Sequence, residues 1–359
     1  MDELSTSILQ ECARAAANFL NELPQPLKDF ILFLHSDAFI KAIIFPGLFF
    51  IFTFVMFTIW FERKLLARVM VRLGPLHVGK YAGLLQLVAD AVKLLSKELI
   101  VPEKAIKPLY VSMPILCGAL SMLTFAFLPL GPGWVIYPSD INLLLVFVIL
   151  AVTPITILVA GWASRSKYCF IGAVRFAFQV FSYEVPFFLS IASVTLAARS
   201  FNLEKIVEAQ ATLPFIIPAL LGFIVFLITA IAETERVPFD LPTAEQELVS
   251  GWQTEYTGAY FALFYLAAYI KLDAIAILTA LLFLGGWHGP SIPGVPESIL
   301  GPFWLILKSL IVVFLVLLLR GVFPRITLDK LLDLGWRVLI PLALLNILIV
   351  AVLIQAGLL

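Results

Sequence analysis

Charged residues are scarce in this chain of 359 residues. Asp, Glu, Lys and Arg make up 13% of the sequence, while 62% of the residues are hydrophobic. A soluble domain has about 25% charged and 45–50% apolar residues. The composition therefore excludes both a soluble enzyme and a disordered chain. The formal net charge is zero, so the basic excess typical of nucleic-acid binding is missing.

Cysteine and histidine are also rare. Cys12, Cys117 and Cys169 form no C-x-x-C pair, and the three histidines are isolated from one another. This spacing excludes an iron–sulfur cluster or a zinc site built from this chain alone, so we predict no metal ligands. The first residues lack a basic stretch followed by a small-residue cleavage site, and we expect no cleaved signal peptide.

Long apolar runs dominate the chain instead. About 20 apolar residues cross a bilayer as a helix, and the sequence predicts eight such spans, at 40–60, 109–130, 141–163, 170–198, 213–232, 259–285, 302–322 and 338–357. Residues 1–39 mix apolar and charged positions, which predicts an amphipathic segment at the membrane interface. The predicted fold is an all-α integral membrane protein with eight transmembrane helices in a single membrane domain, residues 1–359.

Basic residues indicate how the predicted spans are oriented. Of the 24 Lys and Arg residues, 17 lie in four connecting segments, at 61–108, 164–175, 233–258 and 320–337. Because positive loops stay inside, we expect these segments to be cytoplasmic and both termini to face outward. Segment 61–108 carries a net charge of +5 and segment 233–258 a net charge of −5. We expect the two to dock, through side chains such as Arg72 and Asp240, and to enclose a polar cavity.

Residues 79–98 are predicted to form a cytoplasmic amphipathic helix. Gln86, Asp90, Lys93 and Lys97 recur at helical spacing and form one polar stripe. The stripe faces either water, on a helix lying in the membrane interface, or an internal cavity. Periodicity alone favours the first interpretation.

Several ionisable residues fall inside the predicted spans, where they are costly and mark functional candidates. Glu184 fits a proton relay or a structural ion pair with Arg175, and the sequence does not choose between them. Lys271 and Asp273 point to different sides of one helix, so each needs a partner elsewhere or a wet cavity. Lys308 lies near the outer end of its span, where snorkelling to the interface is expected.

Residues 232–256 combine six carboxylates with two prolines directly after an apolar span. Irregular backbone at membrane depth is tolerated only when it is buried in protein or lines water. We interpret the segment as a proton-accessible acidic funnel. A simple acidic surface loop explains Glu255 equally well, but it fits Glu233 poorly, because Glu233 ends the apolar span.

These residues carry a family resemblance. The matching runs are ERKLLARVMVRLGP (62–75), GLLQLVADAVKLLSKE (83–98), GWASRSKY (161–168), SYEVP (182–186), AETERVPFDLP (232–242), ELVSGWQTEYTGAYFALFYLA (247–267), LGGW (284–287) and PRITLDKLLDLGW (324–336). With these runs the chain resembles the family of respiratory complex I membrane subunits that adjoin the peripheral arm, the H-type subunits of bacteria.

The resemblance implies eight tilted membrane helices and a cavity for a quinone-like acceptor. Two peripheral subunits share this cavity, and one carries an iron–sulfur cluster. The implied cavity residues are Glu62, Arg63, Arg72, Gln86, Asp90, Arg236, Phe239 and Asp240. A relay toward antiporter-like membrane subunits is implied at Arg175, Tyr183, Glu184, Glu233, Glu245 and Glu247. The implied location is the cell membrane, and the chain acts as a non-redox subunit of a proton-translocating oxidoreductase.

The chain also departs from the family pattern. The family commonly has a glutamate in the sixth span where this chain has Ala268, and Lys271 lies one turn further on. The acceptor stays open among several quinones and a phenazine-type carrier, and the donor among NADH, a deazaflavin and ferredoxin. A subunit of a membrane-bound hydrogenase is the nearest alternative. A secondary transporter fits less well, because we find no paired broken helices. A purely structural anchor does not explain the buried carboxylates.

Overall fold

The computed structural model describes residues 36, 39–79, 82–291, 293–294 and 296–357, without the side chains of Glu245 and Glu297. The predicted interfacial segment 1–39 therefore lies outside the described residues, apart from Ser36 and Phe39. Every regular element in the described part is helical. The α-helices are α1 Leu48–Val69, α2 Gln86–Ser96, α3 Lys107–Ala126, α4 Asn142–Ala163, α5 Lys167–Ala198, α6 Leu203–Ala209, α7 Leu220–Glu233, α8 Glu245–Leu248, α9 Gly258–Phe283, α10 Glu297–Val322, α11 Leu328–Asp333 and α12 Ile340–Gln355.

The described helices confirm an all-α membrane fold. Seven helical stretches are long and apolar enough to cross a bilayer, and α7 is a shorter apolar helix. Two of these stretches include π-helical turns, at Ile40–Ile44 before α1 and at Leu334–Leu339 between α11 and α12. The count of eight apolar helices agrees with the sequence, although α7 is only 14 residues long.

Helix α9 forms the centre of the bundle. It packs against α1, α2, α3 and α10, and every residue from 269 to 283 is buried. A helix that is apolar on all sides is stable only when neighbours cover all of it. In contrast, α4, α5, α10 and α12 each bury one side and expose large apolar side chains on the other. Residues on α9 are therefore the ones that other helices surround.

Helix α7 is shorter than predicted because prolines interrupt its start. Pro214 and Pro218 precede the first helical residue, Leu220, and proline removes a backbone donor and disfavours helical geometry before it. The buried Gln210 side chain satisfies the interrupted backbone. It donates to Leu281 O and accepts from the amides of Phe215 and Gly285. At about 1.5 Å per residue, α7 is about 21 Å long, less than the ~30 Å hydrocarbon core.

Several helices extend beyond the predicted spans. Helix α1 continues to Val69, so Glu62 and Arg63 lie on its last turns instead of in a loop. Helix α5 begins at Lys167, three residues before the predicted span, and it includes Arg175 as that span does. A helix can continue through charged residues, because their backbone groups still form helical hydrogen bonds. A hydropathy count, in contrast, ends the predicted span at the first charged residue.

Lys308 of α10 reaches the loop that follows α9. Its ammonium donates hydrogen bonds to the carbonyl oxygens of Leu284, Gly286 and His288, at 2.7, 2.9 and 2.6 Å. These carbonyls follow the end of α9, where the last helical carbonyls lack partners within the helix. Lys308 therefore caps α9 from the neighbouring helix α10, and snorkelling of its ammonium to the interface stays a prediction.

Candidate functional site

A cavity of about 580 Å³ opens beside α9. Its wall combines α1, α3, α4, α9 and α10 with the segment after α7. The lining residues are Leu66, Met70, Arg72, Cys117, Ser121, Thr153, Ile157, Thr234, Glu235, Arg236, Val237, Asp240, Thr243, Ser250, Trp252, Gln253, Phe261, Phe264, Tyr265, Ala267, Ala268, Tyr269, Lys271, Arg320 and Arg325. Within the described part, the cavity thus runs from the connecting segments down to Lys271, near the middle of the central helix.

Three charged side chains from three elements meet at one wall of this cavity. Arg236 and Arg320 line the cavity, whereas Glu62, which the resemblance implies as a cavity residue, does not. The Glu62 carboxylate of α1 accepts from Arg236 at 2.5 Å and also from Arg320 of α10. Arg236 also lies over the ring of Tyr269, 4.6 Å from its centroid. Burial lowers the pKa of Arg236, but the adjacent Glu62 carboxylate outweighs that effect and raises it. Two guanidinium groups on one carboxylate give this wall a net positive charge.

The two oppositely charged segments do meet, but through different residues from those expected. Glu62, from the basic segment, pairs with Arg236, from the acidic segment, so each contributes its minority charge. Asp240 pairs with Arg325 at 2.6 Å instead of with Arg72. Arg72 lines the cavity without an ion pair among the described residues. The net charges of the segments therefore predicted the docking but not the residues that form the contact.

Lys271 and Glu233 form a second ion pair at the inner end of the cavity. Lys271 Nζ lies 3.1 Å from Glu233 Oε1, and both side chains are 5% exposed. Glu235 lines the cavity nearby and accepts a hydrogen bond from the Trp252 indole at 3.1 Å. Burial raises the pKa of Glu235, and the positive charge of Lys271 partly opposes this.

Glu233 also reaches toward the relay candidates on α5. Tyr183 and Glu184 both interact electrostatically with Glu233. Tyr183 is buried, and its hydroxyl has no hydrogen-bond partner within the described ranges. Glu184 is partly exposed on the outer side of α5 and forms no ion pair with any described residue. Side chains thus lead from Lys271 in the cavity to the flank of the bundle.

The alternative pairing of Glu184 with Arg175 is wrong. Arg175 pairs with Glu247 at the end of the bundle, where the two side chains are 28% and 56% exposed. Neither residue lines the cavity. The side chain of Glu245, the remaining relay candidate, lies outside the described residues, although its backbone begins α8.

The predicted polar stripe lies at the junction of α1 and α2. Arg63 donates to Asp90 Oδ2 at 2.5 Å, and Gln86 donates to Asp90 Oδ1 at 3.2 Å. Burial raises the pKa of Asp90, but the hydrogen bonds from Arg63 and Gln86 and the nearby positive charges of Arg63 and Lys93 together outweigh burial, so the pKa is lowered. None of these three residues lines the cavity of the chain, and neither does Phe239, which packs in the core.

Asp273 occupies a separate buried position. Its Oδ1 accepts from the Thr58 hydroxyl of α1 at 2.8 Å, and its Oδ2 has no partner in the described structure. As expected from the two-residue spacing, Lys271 and Asp273 contact different neighbours. Asp273 faces α1, away from the cavity lining.

Sequence reasoning missed several cavity residues. In the sequence, Arg320 and Arg325 count only among the basic residues that orient the spans in the membrane. No sequence pattern singles out Tyr269. The sequence feature that could have indicated these cavity residues is a charged or hydroxyl group at the end of an apolar span. Their partners lie far away in the sequence, as with Arg320 and Glu62, and local patterns do not report such contacts.

Comparisons with known proteins agree with these features. The family described as NADH dehydrogenase matches residues 41–351. The second H-type NADH-quinone oxidoreductase subunit of Syntrophobacter fumaroxidans is 42% identical over 302 residues, which cover 82% of this chain and 89% of that protein. The H-type NADH-quinone oxidoreductase subunit of Geobacillus sp. is 44% identical over 304 residues, covering 85% and 90%. The relative from Geobacillus thermodenitrificans is 43% identical over 300 residues, covering 83% and 89%.

Proposed function

Because the chain belongs to the NADH dehydrogenase family, we propose that it is the H-type membrane subunit of a proton-translocating NADH-quinone oxidoreductase. The cavity beside α9 receives the quinone, and buried carboxylates couple quinone reduction to proton movement. The observation that carries this proposal is the cavity of about 580 Å³ with a positively charged wall. Its volume falls within the roughly 300–1,000 Å³ of small-molecule sites.

The cavity lining suits a quinone chemically. Leu66, Phe261 and Phe264 offer apolar surface to a ring and its tail, while Tyr269 and the guanidinium of Arg236 offer hydrogen-bond donors to its oxygens. Reduction places negative charge on those oxygens. Preorganised positive groups at a site of developing charge stabilise it strongly. The wall formed by Glu62, Arg236 and Arg320 carries the required net positive charge.

The electrons come from outside the chain. Within the described residues, no three His, Cys, Asp or Glu side chains cluster as a metal site. An iron–sulfur cluster in a peripheral partner subunit supplies the electrons. Val71, Leu73 and Leu95 are 94%, 84% and 70% exposed at the end of the bundle where the cavity wall is charged. Large exposed apolar side chains outside the spans fit such a partner surface.

Proton movement is coupled to the site through the carboxylates on the α5 side. Lys271, Glu233, Tyr183 and Glu184 form a series from the cavity to the flank of the bundle. Coupled buried carboxylates transmit a change of charge as a change of protonation. Beyond Glu184, antiporter-like membrane subunits continue the path. The chain sits in the cell membrane with the cavity mouth toward the cytoplasm and both termini outside.

The relatives' names favour this function over the hydrogenase alternative, because all those reported above are quinone oxidoreductase subunits. The transporter alternative leaves the charged cavity wall without a role.

The quinone site is tested with Arg236 variants of the intact complex in native membranes. Arg236→Ala is expected to raise the KM for quinone at least about tenfold, the loss of roughly 1.4 kcal/mol of interaction. Arg236→Lys is expected to raise the KM less than Arg236→Ala, because lysine keeps the positive charge but lacks the planar set of guanidinium donors. Arg337→Ala, which removes an exposed guanidinium paired with Asp333, is the control. An unchanged KM in Arg236→Ala contradicts the quinone assignment.

The relay is tested separately with Glu184→Gln. This variant is expected to assemble and reduce quinone while translocating far fewer protons, measured as pH change in sealed vesicles per quinone reduced. A normal proton-to-electron ratio removes Glu184 from the relay but leaves the quinone site standing.

A further inference from the structure

Lys271 has an unusual environment for a membrane helix. It lies on the fully covered part of α9, and its side chain is 5% exposed. A buried ammonium requires a counter-ion, because isolated charges in the interior are very costly. Glu233 of α7 supplies that counter-ion. The ring of Phe176 of α5 lies 5.9 Å from the ammonium and gives a weaker contact.

The ammonium has hydrogen bonds to spare. Lysine carries three donors, and among the described residues only one of them is used, in the bond to Glu233. Lys271 also lines the cavity, whereas Glu233 does not. The carboxylate of Glu235 on the same wall is engaged by Trp252. The unused donors of Lys271 are therefore available to an acceptor inside the cavity.

Of the other cavity cations, Arg72 has no ion pair among the described residues, and the remaining three guanidinium groups are held by carboxylates. Arg236 and Arg320 share Glu62, and Arg325 holds Asp240. These pairs join separate elements of the wall. Lys271 instead joins the cavity to Glu233, which in turn interacts with Tyr183 and Glu184. A change in the position of the Lys271 ammonium therefore alters the electrostatic environment of the carboxylates on the α5 side.

We propose that Lys271 couples the cavity to the relay by exchanging partners, from Glu233 to the anionic oxygen of the reduced quinone. This inference rests on the proposed function and specifies how its two halves connect. Two electrons from the partner cluster reduce the quinone, and its oxygen is negative until a proton arrives. The ammonium turns to that oxygen, and Glu233 loses its counter-ion.

An unpaired buried carboxylate binds a proton. Glu233 receives this proton from Glu184, with which it interacts electrostatically, so one O–H bond forms at Glu233 as one breaks at Glu184. When the quinone oxygen is protonated, it no longer attracts the ammonium. The quinone takes its proton from the cytoplasmic mouth of the cavity. Lys271 then returns to Glu233, which gives its proton back to Glu184, so one O–H bond breaks at Glu233 as one forms at Glu184. Each reduction therefore cycles the protonation of Glu233 once.

The test uses the intact complex in proteoliposomes, with quinone reduction and proton translocation measured together. Lys271→Gln keeps a hydrogen bond to Glu233 but loses the charge, and Lys271→Arg keeps the charge. Lys271→Gln is expected to lower the proton-to-electron ratio at least about fivefold, the lower end of the coupling between two sites. Lys271→Arg is expected to retain the ratio. Lys41→Met, a lysine change outside the cavity, is the control.

A second measurement does not depend on the lysine variants. Redox-difference infrared spectra of the wild-type complex are expected to contain a carboxyl band that Glu233→Gln removes. Absence of that band overturns the inference, and so does a normal proton-to-electron ratio in Lys271→Gln. If the wild-type complex reduces no quinone or moves no protons, the proposed function itself fails, which is a different result.

Discussion

Removing the Glu62 carboxylate is the sharpest perturbation of the cavity wall. In Glu62→Gln, Arg236 keeps a buried guanidinium without its counter-ion, since its side chain is 8% exposed. Breaking a buried pair on one side costs about 3–5 kcal/mol. Arg320 adds little, because its side chain is 38% exposed and exposed pairs contribute about 1 kcal/mol or less. Most of the lost local stability should therefore appear in residues 234–240, the segment that contains Arg236.

Hydrogen–deuterium exchange of the intact complex measures this loss locally. A loss of about 3 kcal/mol accelerates exchange through local opening by at least about a hundredfold, since 1.4 kcal/mol corresponds to a factor of ten. Arg236→Gln is expected to accelerate exchange less, because Glu62 then keeps Arg320 as its partner. Asp333→Asn, which breaks an exposed pair within one helix, is the control and should change exchange by about twofold. A change of less than about tenfold in Glu62→Gln refutes the reasoning.

Three further substitutions test the packing around the site. Lys308→Met removes the cap of α9 and should loosen residues 284–288 by about 2 kcal/mol or more, seen as faster local exchange; equal exchange contradicts the cap. Asp90→Asn should release α2 by about 0.2–1 kcal/mol, measured in the same way. Because the pKa of Asp90 is lowered, this stabilisation is present above its ordinary value of 3.8 and is lost as the pH falls through the lower folded-state pKa. Gly172→Ala places a Cβ 2.5 Å from the Trp252 amide nitrogen and should destabilise the complex by about 1–3 kcal/mol; an unchanged thermal midpoint argues against close packing there.

The helical architecture was predictable because hydropathy acts locally. Every membrane-crossing helix corresponds to an apolar run in the sequence. The errors occurred where charge or proline breaks a run. Glu62 and Arg63 extend α1 because a helix continues through charges that have partners. Pro214 and Pro218 shorten α7 and were visible in the sequence, but a count of apolar residues does not weigh them.

The candidate site was less predictable because its geometry depends on long-range pairs. The sequence singled out Lys271 as needing a partner, but only the packing of α7 against the bundle identifies Glu233. Charge sums predicted docking of two segments, yet the contact uses Glu62 and Arg236, the opposite of the net charges. The partner of Arg175 was equally unpredictable, because Glu247 lies 72 residues further along the chain.

Photo-crosslinking with a quinone analogue tests the central claim most directly. The analogue is added to the intact complex in native membranes, and labelled peptides are identified by mass spectrometry. We predict labelling of residues 261–269 and 234–253 of this chain, with loss of labelling when natural quinone competes and in Arg236→Ala. Labelling confined to other surfaces of the chain, or labelling in this region that quinone does not displace, would contradict a quinone site in the cavity beside α9.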